Sequence, residues 1–90
     1  MGATAGPITL NTSFWTLIAT GPCNVTFETT RDTNWVINSA NTQPSVTRGH
    51  DASRDKPVSL ALLAGEFLFV KGAGVSAGVV YATVSYGFLS

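Results

Sequence analysis

Residues 23–30 read Cys-Asn-Val-Thr-Phe-Glu-Thr-Thr, with Cys23, Val25 and Phe27 facing one way and Asn24, Thr26 and Glu28 the other. Period-two patterning belongs to a half-buried strand, because successive side chains of an extended backbone leave on opposite sides. Its β-branched and aromatic residues suit a pleated surface. Gly21-Pro22 closes off what precedes the stretch, and Arg31-Asp32-Thr33-Asn34 is a short polar link of the kind that joins a hairpin. This stretch sets the expectation of an all-β chain.

Outward from it, Ile8-Thr9-Leu10, Phe14–Thr20, Trp35–Ile37, Val58–Leu63, Glu66–Lys71 and Val79–Tyr86 are rich in strand formers and bounded by turn residues. The spacing predicts a small β-sandwich or jelly-roll-like domain of about seven short antiparallel strands. Leu60, Leu63, Ala64 and Phe67 also fall at helical spacing, but Gly65 interrupts them and Phe-Leu-Phe-Val follows, which favours strand. Residues 1–90 form a single domain in this reading. Residues 1–7 are a flexible N-terminal arm running through Gly6-Pro7, and residues 38–57 form one long irregular segment.

Of the 90 residues, 44% are hydrophobic and 11% charged, with zero formal net charge. Globular chains carry roughly 25% charged residues. A neutral, charge-poor surface favours association, so the chain is expected to be an oligomer subunit. Five basic residues balanced by five acidic ones leave no electrostatic footprint for nucleic acid. No apolar run approaches the ~18 residues of a membrane span. The start, MGATAGPITL, has neither a basic nor an apolar signal region, and Gly6 stands where a myristoylation signal prefers Ser or Thr.

Several strands are apolar on both faces. Phe67 and Phe69 oppose Leu68 and Val70, Val79 and Tyr81 oppose Val80, Ala82 and Val84, and Trp15 and Leu17 oppose Phe14 and Ile18. A two-layer sandwich has one interior, so the second apolar face is expected to need another subunit or a host surface. Phe67, Phe69, Val79 and Tyr81 are the candidate subunit interface.

The stretch RGHDASRDKP, residues 48–57, gathers half of the formal charges and the only histidine. One imidazole and two carboxylates, diluted by two arginines and a lysine, make a poor metal set. A polar loop with local ion pairs such as Asp51–Arg54 and Asp55–Arg54 is the plainer reading. Arg48, His50, Asp51, Arg54, Asp55 and Lys56 are therefore a candidate partner-docking loop. Arg48-Gly49-His50-Asp51 has one residue too many for an Arg-Gly-Asp motif.

Other constellations are weaker. Gly72, Gly74 and Gly78 have the wrong spacing for a dinucleotide loop and precede a strand. Glu28 and Glu66 could pose as a glycosidase pair, but nothing places them together. Trp15, Trp35, Tyr81 and Tyr86 could stack on a sugar, though aromatics of small β domains more often serve the core. Cys23 has no disulfide mate and is in phase with Val25 and Phe27, as a buried small hydrophobe would be. Asn11-Thr-Ser and Asn24-Val-Thr match the glycosylation pattern by chance in a Ser/Thr-rich chain. No catalytic, cofactor-binding or metal residue is assigned, and no enzyme is expected.

Phe-Trp-Thr-Leu-Ile-Ala-Thr-Gly at 14–21, Val-Thr-Phe-Glu-Thr at 25–29, Trp-Val-Ile-Asn-Ser at 35–39, Pro44 and Arg48-Gly49-His50 follow one another in order. Leu-Ala-Gly-Glu-Phe-Leu-Phe-Val-Lys-Gly at 63–72 and a closing Val-Val-Tyr-Ala-Thr-Val-Ser-Tyr complete the series. Across about residues 8–87 this order resembles small β-sandwich virion proteins of tailed bacteriophages, namely capsid decoration (cement) proteins and tail or fibre accessory domains. The resemblance implies a non-enzymatic structural protein, a homotrimer made in the host cytoplasm and placed on a capsid or tail. Its implied partners are further copies of itself and the major capsid or another virion protein. Strands 66–71 and 78–86 would then build the subunit interface, while the N-terminal segment and the 40–57 loop would touch neighbouring proteins. The alternative is a carbohydrate- or receptor-binding module of a tail or fibre. No functional residue is carried over from the resemblance.

Overall fold

The computed structural model describes the backbone of residues 2–46, 49–73 and 78–85, and their side chains from residue 8 onward. It is all-β, with β1 Gly2–Thr9, β2 Thr16–Thr20, β3 Cys23–Thr29, β4 Thr33–Asn38, β5 His50–Ala52, β6 Val58–Leu62, β7 Phe67–Gly72 and β8 Val79–Ser85. Two four-stranded sheets pack together, one ordered β1-β8-β3-β6 and the other β2-β7-β4-β5. Each early strand pairs antiparallel with its mirror from the far end of the chain: β1 with β8, β2 with β7, β3 with β6 and β4 with β5. This nested ribbon, rolled so that β8 also meets β3 and β7 meets β4, is the jelly-roll order.

The alternation at 23–30 does what its chemistry requires. Cys23, Val25, Phe27 and Thr29 are buried, while Asn24, Thr26 and Glu28 are exposed. Leu62, Val80, Ala82 and Val84 of the same sheet meet Ile18, Ala19, Ala52, Leu68 and Val70 of the other in one core. Phe27, Leu68, Val25, Val70 and Val80 are its largest fully buried apolar side chains.

Three expectations are corrected. The segment read as irregular contains a strand, His50–Ala52, which pairs with Thr33–Trp35 and brings the strands among the described residues to eight. Residues 2–7 are no flexible arm: β1 pairs Gly2–Ala5 with Ala82–Ser85 and Ile8 with Val80. Gly6-Pro7 sits in a register break on this border strand, where the missing proline N–H breaks no inner ladder. Residues 31–34 do not close a hairpin, since β3 and β4 belong to different sheets. Apart from β4 to β5, every consecutive pair of strands changes sheet. The helical alternative at 60–67 gives way to β6 and a turn, in which Glu66 Oε1 accepts the Leu63 N–H at 2.6 Å.

Candidate interaction surfaces

The four candidate interface residues do not share a surface. Phe67 and Phe69 lie on the outer face of the β2-β7-β4-β5 sheet, since Leu68 and Val70 fill the core. Val79 and Tyr81 lie on the outer face of the opposite sheet, since Val80 and Ala82 fill the core. Within each pair the exposures also differ. Phe69 is 3% exposed and Phe67 half-buried, while Tyr81 is 45% exposed and Val79 half-buried.

Phe69 is covered by its own chain. Across the sheet it sits between Leu17 and Val36. Trp15 lies on the same side, 5% exposed, with the Lys71 ammonium 4.7 Å from its ring centroid. The segment after β4 then folds back over this face. Gln43 clamps the Trp15 backbone, its Oε1 accepting the N–H at 2.9 Å and its Nε2 donating to the C=O at 2.7 Å. The Trp15 indole donates to the Val46 carbonyl at 3.0 Å. Gly49 runs so close to the Trp35 carbonyl and the Val36 side chain that a Cβ there would collide with both. The expected need for a second subunit over Phe69 is thereby removed. What stays exposed is the rim, where Phe14 is 62%, Leu17 36% and Val46 48% exposed.

The charged segment divides into two pieces. Arg48 lies outside the described residues. His50 and Asp51 belong to border strand β5; the His50 ring lies 4.4 Å from that of Trp35, and Asp51 Oδ1 accepts from Asn34 Nδ2 at 3.0 Å. Arg54, Asp55 and Lys56 shape the β5–β6 turn through their backbones. The Arg54 N–H bonds Asp32 Oδ1 at 3.0 Å, the Asp55 N–H bonds the Thr29 carbonyl at 2.9 Å, and the Lys56 N–H bonds the Ser53 carbonyl at 3.3 Å. Asp55 takes a left-handed φ of 61°, a conformation Asp tolerates better than most residues.

Beside β5 lies an open cleft of about 330 Å³ lined by Asp32, Thr33, Asp51, Ala52, Ser53 and Ala73. Thr33 is 1% exposed, and its hydroxyl is a buried side-chain polar atom with no hydrogen-bond partner. Among the described residues no three His, Cys, Asp or Glu side chains converge as a metal set. The cleft's oxygen-rich wall can accept hydrogen bonds from a polyol or an ammonium group. The sequence reading took Asp32 and Thr33 for a hairpin link and did not join them to Ser53, which comes beside them only when β4 pairs β5.

Other candidates also find their places. Glu28 is exposed near one end of β3, whereas Glu66 caps a turn beyond the other end, so they form no pair. Trp35 packs against the core and Trp15 is covered, so neither offers an open platform. Tyr86 and Gly74 lie outside the described residues. Gly78 has φ 72° and a carbonyl that accepts the Leu10 N–H at 3.1 Å, a structural role. Cys23 is buried in the core, and desolvation pushes its thiol pKa up. Comparison with known proteins finds no matching family model, no matching curated protein and no matching solved structure.

Proposed function

We propose that the chain is a non-enzymatic structural virion protein, a capsid decoration protein that stabilises a phage head by assembling on its surface. The carrying observation is the apolar rim around Trp15, where Phe14, Leu17 and Val46 remain exposed on a chain of zero net charge. Such a rim loses free energy by staying in water and meets no electrostatic barrier on a neighbouring protein surface. Jelly rolls serve in viral capsid domains among other roles, so the fold agrees with the reading while the rim supports it. The partners are further copies of the chain and the major capsid protein, and the location is the virion.

The test is co-sedimentation of the purified chain with phage heads assembled without it. Binding that raises the melting temperature of the heads is the expected result. A folded Phe14→Ser/Val46→Ser variant should bind at least tenfold more weakly. Failure of the native chain to bind heads at micromolar concentration overturns the proposal.

The cleft supports a second reading, a carbohydrate- or receptor-binding module, because the carboxylates of Asp32 and Asp51 and the hydroxyl of Ser53 that line it suit a polyol. Glycan-array binding abolished by Asp32→Ala, with the fold intact, would favour it over decoration.

A further inference from the structure

Four strands border the two sheets, β1 and β6 in one, β2 and β5 in the other. A border strand presents unpaired N–H and C=O groups, which proteins blunt with bulges, proline, charge or brevity. β1 has a register break containing Pro7, and β2 has one between Leu17 and Ala19. β5 has only three residues, and they include His50 and Asp51. β6 has none of these devices. Val58-Ser-Leu-Ala-Leu62 pairs with β3 in unbroken register over five residues and contains neither charge nor proline.

The side chains of β6 mark the same border. Val58 and Leu60 pack on the core yet stay half-buried, whereas Leu62 is 3% exposed. Leu63, next along the chain, is 68% exposed. The turn before β6 bonds to Thr29, the last residue of β3, and to Asp32, just ahead of β4, and among the described residues only β3 pairs with β6.

We propose that β6 is a seam between two copies of this chain, each β6 pairing antiparallel with the other and joining two four-stranded sheets into one of eight. This rests on the assembly reading above, and replaces the threefold arrangement implied by the phage resemblance with a twofold one. The register follows from side-chain parity. Inward residues must meet inward residues, so the pairing can shift only by steps that keep the faces. Leu60 opposite Leu60 engages the whole strand, setting Val58 against Leu62 of the partner subunit and Ser59 against Ala61 of the partner subunit. Large inward side chains then adjoin large ones, small outward ones adjoin small ones, and no like charges meet. That self-complementarity selects a second copy over a foreign strand.

Light scattering in line with size exclusion, at micromolar concentration, should give twice the 9.4 kDa chain mass. A monomer or a trimer overturns the seam. Ser59→Lys/Ala61→Lys places lysines opposite lysines on exposed outward positions, and should yield a monomer with unchanged circular dichroism. A dimer that persists in this variant overturns the seam. Should the variant fail to fold, hydrogen exchange of the native chain decides: β6 amide protection rising with protein concentration supports the seam, and concentration-independent exchange overturns it. A native dimer that ignores phage heads would remove the decoration reading and keep the seam. Head binding by a native monomer would do the reverse.

Discussion

The two outer faces of this sandwich have opposite characters. On the β1-β8-β3-β6 sheet, Asn24, Thr26, Glu28, Ser59, Ala61, Tyr81 and Thr83 face water, and Thr26 and Ser59 share a 2.9 Å hydroxyl hydrogen bond. On the β2-β7-β4-β5 sheet, Leu17, Val36, Phe67 and Phe69 line the outside; Trp15 lies on the same side, held by Gln43 and Val46, and Gly49 presses on Val36, while Leu17 stays exposed at the rim. An antiparallel sheet can leave one face in water if that face is polar. An apolar outer face needs a cover, and here Gln43, Val46 and Gly49, between β4 and β5, help to supply it. The lesson is that strands apolar on both sides call for a third layer, which need not be another molecule.

The sharpest test of that contrast is Phe69→Ala. Were its face merely a surface, the change would be nearly silent; as a covered residue it should cost about 3–5 kcal/mol, read by urea denaturation. Gly49→Ala should come next, at about 1–3 kcal/mol, because the new methyl group pushes the covering segment off the Trp35 carbonyl and Val36. A stable, unaltered Gly49→Ala protein would mean that the segment does not press on the sheet. Gln43→Ala removes both bonds to the Trp15 backbone and should cost about 1–2 kcal/mol, a melting shift of roughly 4–16 °C, with a rise in indole fluorescence quenching. On the other face, Thr26→Val or Glu28→Gln should change stability by less than about 0.5 kcal/mol. A large loss there would erase the distinction between the faces.

Cys23 provides a measure of the core between them. Its thiol pKa is raised by desolvation. Burial therefore favours the neutral thiol, and that contribution is present at low and neutral pH. It is lost as pH rises past the unfolded-state thiol value, where unfolding releases a proton that the native thiol retains. Alkylation of Cys23 at neutral pH should be slow in the native protein and become fast in denaturant. Fast alkylation of the native chain would show the core to be open at that strand.

Much of the inner layer was legible without coordinates. Cys23, Val25 and Phe27 are buried as their alternation requires, and Leu68, Val70, Val80, Ala82 and Val84 lie inward as the same periodicity places them. The β5 strand was not, because three residues with two polar side chains carry too little pattern to stand out from a loop. The cleft was hidden for a related reason, since Asp32 and Thr33 meet Asp51 and Ser53 only through a pairing between distant segments. Interface residues read from apolarity alone fell on opposite faces, because period two says which side a residue takes within its own strand and nothing about which sheet that strand joins.

RGHDASRDKP illustrates the division at residue scale. Its composition already argued for a polar connection rather than a reaction centre, and its last residues do form the turn into β6. That His50 would lie against Trp35, and Asp51 beside Asn34, depended on the β4–β5 register. Local chemistry therefore determined that this chain is built of strands and which side chains of each are apolar, because those follow from alternation and turn residues a few positions apart. Only the tertiary structure decided that Gly2–Thr9 pairs with Val79–Ser85, that consecutive strands change sheets, and that the chain covers its own second apolar face. Those outcomes depend on contacts between residues far apart in the chain, formed where they bury the most apolar surface together, and no short window of sequence contains both partners.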